Sequence, residues 1–205
     1  MDDPQSPPRG SSRRELLLAS AALAAGAAAA AAISSCGGGS KSKQAETVST
    51  AQADSDAAIL NALLDQEHSS IAAYGLIAMK LRGPALASAR RFAGQERSHA
   101  DVLSQAIGRL GGTPTPPRPE SEYASGFPRL RGERDALSFA LDVETTAIAA
   151  YADALGKIAT DGVRVTAAAI LVTESEHAAV ALGDLGRPQA PDPFVTGPPP
   201  QADTP

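Results

Sequence analysis

Apolar positions recur at steps of three and four from about Ala57 to Leu185, and the recurrence breaks in three places. Leu60, Leu63, Leu64, Ile71, Tyr74, Ile77, Ala78 and Leu81 form the first stripe, which predicts an amphipathic helix ending near Arg82. Gly83-Pro84 then supplies a helix stop and a first-turn residue for the next helix. That second helix runs to about Leu110, with Phe92, Leu103 and Ile107 inward, and Gly111-Gly112 ends it. Residues 113–132 hold five prolines and no helical period. A third stripe, from Leu137 through Ile148 and Tyr151 to Ile158, predicts a helix from about Glu133 to Thr160. After the tight turn Asp161-Gly162, a fourth helix covers about Val163 to Leu185.

The connections are therefore short, long, short. A helix of about 25 residues is ~40 Å long at 1.5 Å per residue. Twenty extended residues at ~3.3 Å each can cover that length. The third helix can then start at the end of the bundle opposite to where the second finishes. The expected fold is all-α: a four-helix bundle over residues 54–186, made of two helical hairpins joined by a long crossover.

The two hairpins repeat each other. EHSSIAAY starts at Glu67 and ETTAIAAY at Glu144, each with a tyrosine seven residues on (Tyr74 and Tyr151). GQERSH and VTESEH follow, placing Glu96 three residues before His99 and Glu174 three before His177. Residues three apart share a helix face, so each Glu-x-x-His can hold one ion from one side. Glu67 lies 16 residues before the Gly83 turn and Glu96 lies 13 after it; Glu144 and Glu174 stand 17 before and 13 after Asp161. All four glutamates and both histidines should thus share one layer. His68 lies about 100° round the helix from Glu67, and Glu176 on the far side from Glu174, so neither belongs to that layer.

Four buried carboxylates would repel one another unless paired. Two divalent cations bring four negative charges to zero, which favours a dinuclear metal. Carboxylate and imidazole ligands without thiolate suit iron or manganese and do not exclude zinc.

One Glu from each of two helices, with Glu-x-x-His from each of the other two, resembles the ferritin-like di-iron carboxylate superfamily, as in rubrerythrins and bacterioferritins. The resemblance covers about residues 55–185. It implies two Fe, with Mn as the alternative. It implies terminal ligands at Glu67, Glu144, His99 and His177 and bridging ligands at Glu96 and Glu174. Tyr74 and Tyr151 would donate hydrogen bonds to ligand carboxylates. Redox chemistry with O2 or peroxide (ferroxidase, peroxidase or manganese-catalase-like) follows from the same resemblance. The alternative is a non-catalytic metal-binding or cell-surface interaction protein on the same bundle. No rubredoxin-type cysteine site is present, so a rubrerythrin's built-in electron donor is missing.

Composition adds an address. Ser12-Arg13-Arg14-Glu15-Leu16-Leu17-Leu18 followed by an uncharged Ala-rich run resembles a twin-arginine (Tat) export signal over residues 1–35. Ile33-Ser34-Ser35-Cys36 looks like a lipobox, which makes Cys36 the lipidated first mature residue. A membrane lipoprotein facing outside the cytoplasm is expected; an uncleaved anchor and a freely secreted protein are the other readings. The twin-arginine route exports folded proteins, which suits a metal loaded inside the cell. Residues 36–53 read as a flexible tether and 187–205 as a Pro-rich disordered tail. Cys36 is the sole cysteine, so disulfides and Cys-based zinc or iron–sulfur sites are excluded within one chain. The formal net charge of −5, without a basic patch, argues against nucleic acid. The expected partners are metal ions with O2 or peroxide and the membrane; a homodimer is a possible assembly.

Overall fold

The computed structural model describes residues 48–194. The signal peptide, Cys36 and most of the tether lie outside the described residues, as does the tail beyond Phe194. Among the described residues all regular structure is helical: α1 (Thr50–Ala78), α2 (Gly83–Arg109), α3 (Glu120–Ala124), α4 (Glu133–Leu155) and α5 (Asp161–Asp184). α1 and α2 pack as one hairpin and α4 and α5 as the other. α1 against α4 and α2 against α5 then close the four-helix bundle.

Three expectations need correction. The tether expected over 36–53 stops at Ser49, because Ser49 and Gln52 form a reciprocal capping box and start α1 at Thr50. The apolar stripe begins only near Ala57, so a helix start fixed by capping is invisible to periodicity. The crossover is also not wholly extended. Its single short helix, α3, buries Tyr123 against α1.

Finally, α4 ends at Leu155 rather than near Thr160. The buried carboxylate of Asp56, on α1, accepts hydrogen bonds from the backbone N–H of Ala159 (2.9 Å) and Thr160 (2.8 Å). Those two N–H groups are held in a turn, and α5 starts directly after it at Asp161. Burial alone would raise the Asp56 carboxyl; hydrogen bonds from Thr160 and Ala159, with Arg164 nearby, outweigh it and hold it below its usual value.

The crossover is tied to α1. Asn61 Nδ2 donates to the Thr113 carbonyl (3.1 Å), and Thr115 N–H donates to Asn61 Oδ1 (2.7 Å). Arg118 donates through Nε and Nη2 to the two Asp65 oxygens, at 3.2 and 2.9 Å. Tyr123 Oη donates to Asp65 Oδ1 at 2.8 Å. At the helix ends, Gly83 (φ 52°) makes the α1–α2 reversal, and Gly111 (φ 84°) terminates α2 in the left-handed conformation that glycine adopts most readily.

The apolar core is in two parts. One contains Leu60, Leu64, Leu103, Ile107, Tyr151 and Ile170; the other contains Tyr74, Ile77, Leu81, Phe92, Leu137 and Val143. On α1, α2 and α4 the glutamate of the repeat lies between residues of the two parts, and on α5 it lies between Ile170 of the first part and the partly buried Val180, which packs against the second. A polar layer is therefore enclosed above and below by aliphatic packing. Each fully buried Leu or Ile contributes roughly 1.5–3 kcal/mol, which is what holds such a layer out of water.

Candidate metal centre

Each long helix brings its part of the repeat to that layer. α1 contributes Glu67, α4 Glu144, α2 Glu96 and His99, and α5 Glu174 and His177. Five of the six are 0 or 1% exposed, and His99 is 8% exposed. The structure brings all six together in two groups, Glu67, Glu96, His99, Glu174 and Glu96, Glu144, Glu174, His177; within each, ligand-type atoms lie within 4.8 Å of one another. Glu96 and Glu174 belong to both groups. His68 and Glu176 belong to neither: His68 is half-buried in a surface groove beside Arg97 and Arg118, and Glu176 is exposed.

Both imidazoles turn Nδ1 to the carboxylates. His99 Nδ1 lies 2.9 Å from Glu174, 3.5 Å from Glu96 and 3.6 Å from Glu67. His177 Nδ1 lies 3.2 Å from Glu96, 3.4 Å from Glu144 and 3.6 Å from Glu174. Despite these approaches, both Nδ1 atoms and six carboxylate oxygens make no hydrogen bond of acceptable geometry. The tyrosines bind crosswise. Tyr74, in the first hairpin, donates to Glu144 Oε1, and Tyr151, in the second, donates to Glu67 Oε1. That leaves Oε2 of each glutamate unpartnered and facing the layer.

Two contacts were not visible in the sequence. Gln95 Oε1 lies 2.9 Å from His177 Nε2, and Phe92 stacks on the His177 ring with centroids 4.0 Å apart. The helical stripe places Phe92 inward but cannot say which ring of another helix it meets. The only sequence signal for Gln95 is that the repeat has Thr173 in its place.

Electrostatics divide the carboxylates into two pairs. Burial, with His99 opposing and the charges of Glu96 and Glu174 reinforcing, pushes Glu67 up to about 8. Glu144 is raised well above the usual range, chiefly by burial, with His177 opposing. Burial acts the same way on Glu174 and Glu96, but the two imidazoles outweigh it; Glu174 falls to about 2 and Glu96 is also lowered. Burial disfavours both imidazoliums, yet the surrounding carboxylates push His99 up to about 12 and His177 to about 11.

The class of protein is now defined: a four-helix bundle enclosing a carboxylate–histidine layer. A model of the Ferritin-like domain family matches residues 55–186, and the chain belongs to that family. Among solved structures it is similar to a conserved hypothetical protein, rv2844, from Mycobacterium tuberculosis (20% identity, TM-score 0.58), covering 64% of this chain and 98% of that one. It is also similar to a ferritin-like, diiron-carboxylate protein from Bacillus anthracis str. Ames (22% identity, TM-score 0.56), covering 65% of this chain and 97% of that one. At these identities the likeness is one of fold. No curated protein sequence matches the chain.

Proposed function

We propose that this chain holds a dinuclear iron or manganese centre and uses it for redox chemistry with O2 or peroxide. The observation that carries the reading is the set of eight buried imidazole and carboxylate atoms, from six residues, without hydrogen-bond partners. Unsatisfied buried polar atoms are rare, because each costs about 1–3 kcal/mol or more. Eight facing one small space are accounted for by cations. The donor set, four carboxylates and two imidazoles without thiolate, fits iron or manganese. The diiron-carboxylate description of the Bacillus anthracis protein favours iron.

Glu67 and His99 would serve one ion and Glu144 and His177 the other, with Glu96 and Glu174 between them. Held there, the two ions would supply the redox chemistry toward O2 or peroxide. The chain's own part is to position. Tyr74 and Tyr151 each hold one oxygen of an outer glutamate and aim the other inward. The two apolar core parts keep water from both ends of the layer.

The full chain, purified folded and given Fe(II) or Mn(II) anaerobically, should bind two ions. Fewer than one per chain overturns the reading. Consumption of O2 or peroxide by the loaded protein then supports the redox role, and binding without turnover leaves a metal-binding protein.

The sequence supports the site of action as part of the same proposal: export by the twin-arginine signal and lipid anchoring at Cys36, outside the cytoplasm. Cys36→Ala should release the protein from membranes or block its processing. A Cys36→Ala protein that is processed and still fractionates with the membrane rejects the anchor.

A further inference from the structure

The duplication that builds the centre is broken around its histidines. Offsetting α2 onto α5 by 78 residues pairs Glu96 with Glu174 and His99 with His177. The same offset pairs Phe92 with Ile170 and Gln95 with Thr173. Phe92 and Gln95 both act on His177: one covers its face at 27° to the ring plane, and the other meets its Nε2 edge. The counterparts cannot do this for His99. Ile170 is not a flat ring, and the Thr173 hydroxyl donates to its own helix, to the Ala169 carbonyl at 3.3 Å. The side chain of His177 is 2% exposed and that of His99 10%.

This difference bears on metal binding. A Nε2–H held by the Gln95 oxygen keeps the His177 lone pair on Nδ1, the atom that faces the carboxylates. The stacked Phe92 also fixes the ring plane. His177 is thus set for an ion before any arrives, whereas Thr173, the counterpart of Gln95, gives its hydrogen bond to its own helix and not to the His99 ring. Residues that orient a histidine ligand change metal affinity by about 10–100-fold.

Resting on the dinuclear reading above, we propose that the two metal positions are unequal. The position at His177 fills first and retains its ion; the position at His99 is the exchangeable one. Gln95 is the positioning residue that makes the difference.

The test is stepwise titration of the full, metal-free chain with Co(II) under anaerobic conditions, followed by calorimetry and by the visible bands of bound Co(II). Wild-type protein should bind two Co(II) in two steps at least about tenfold apart. His177→Ala should abolish the tight step and His99→Ala the weak one. Gln95→Leu should weaken the tight step about 10–100-fold and leave the weak step alone. Gln95→Glu keeps an acceptor at the same reach and should keep the tight step, an outcome that loss of packing would not give. Thr173→Gln should tighten the weak step. Two equal steps, unchanged in Gln95→Leu, overturn the inequality while leaving the dinuclear centre intact. Failure of the wild-type chain to bind Co(II), Fe(II) or Mn(II) at all overturns the dinuclear reading, and the inequality with it. Circular dichroism of each variant confirms that the helices are present.

Discussion

The two hairpins supply the same layer residues and the same tyrosine, and they differ in what surrounds and anchors them. Glu67 and Tyr74 correspond to Glu144 and Tyr151 at an offset of 77. On the outside, Asn61 and Asp65 of α1 anchor the crossover, whereas their counterparts on α4, Ser138 and Asp142, are exposed. Asp56 of α1 is buried and holds the α4–α5 turn, whereas its counterpart Glu133 is exposed in the first turn of α4. The first hairpin is thus a scaffold for the second: its turn is made locally by Gly83 and Pro84, while the other turn depends on a carboxylate from across the bundle. The repeat is kept at the six layer residues and the two tyrosines, and it is lost at the anchors that only one copy supplies.

The largest effect should come from breaking the symmetric part. Glu96→Ala and Glu174→Ala each remove a carboxylate that belongs to both groups, so each should abolish dinuclear binding equally. Glu176→Ala, on an exposed face, should leave two ions per chain by metal analysis. A loss in Glu176→Ala matching that in Glu174→Ala would show that overall acidity, not position, governs binding. In the wild type, saturation at a hundredfold excess over Kd adds about 2.7 kcal/mol per site to stability, which a thermal melt reads as a higher Tm.

Next comes the asymmetric anchor. Asp56→Ala leaves two backbone N–H groups in a half-buried turn without their acceptor, and should cost about 3 kcal/mol in urea unfolding. The pH dependence has a definite sign. The folded carboxyl lies below 3.8, so the unfolded state takes up its proton first as pH falls. Its contribution is complete above that ordinary value and disappears as pH drops through the folded value. Asp56→Asn should flatten that acid limb. An unchanged slope below pH of about 4 would show that other carboxylates produce it.

The tyrosines test the symmetric part more gently. Tyr74→Phe and Tyr151→Phe each leave one buried glutamate oxygen without its donor and should each cost about 2 kcal/mol, in near-equal amounts. Their crosswise pairing also makes each variant report on the opposite hairpin. A strongly unequal pair of values in the metal-free protein would mean that the asymmetry reaches the outer glutamates.

What the sequence disclosed follows the same division. Helices 3.6 residues per turn, two glycine-marked turns and a proline-rich connection were enough to give the bundle and its crossover, because those signals are local. The six-residue layer was legible because the pattern occurs twice and the heights match. The Ser49 cap lies outside the apolar stripe, and the early end of α4 is imposed by Asp56, over a hundred residues away in the chain. Gln95 acquires a partner only when α5 is placed beside it. Local periodicity places residues on faces; it does not say which partner another helix brings to that face.

The smallest effect belongs to the crossover's ion pair. Asp65 and Arg118 remain 41% and 48% exposed, so water and salt screen their attraction even though the fork geometry is good. Arg118 also lies over the Tyr123 ring, 4.3 Å from its centroid, where part of its contact is packing rather than charge. Arg118→Ala should therefore shift the urea midpoint least of these variants, and about 0.5 M salt should weaken the ion pair's contribution in the wild type. Tyr123 keeps its buried ring and its own bond to Asp65, so the crossover stays on α1. Amide exchange should quicken over residues 113–125 and stay unchanged in α4 and α5. Faster exchange in α5 as well would mean that the crossover clamps the whole bundle, and the division between a scaffold hairpin and a dependent one would have to be redrawn around residues 113–132.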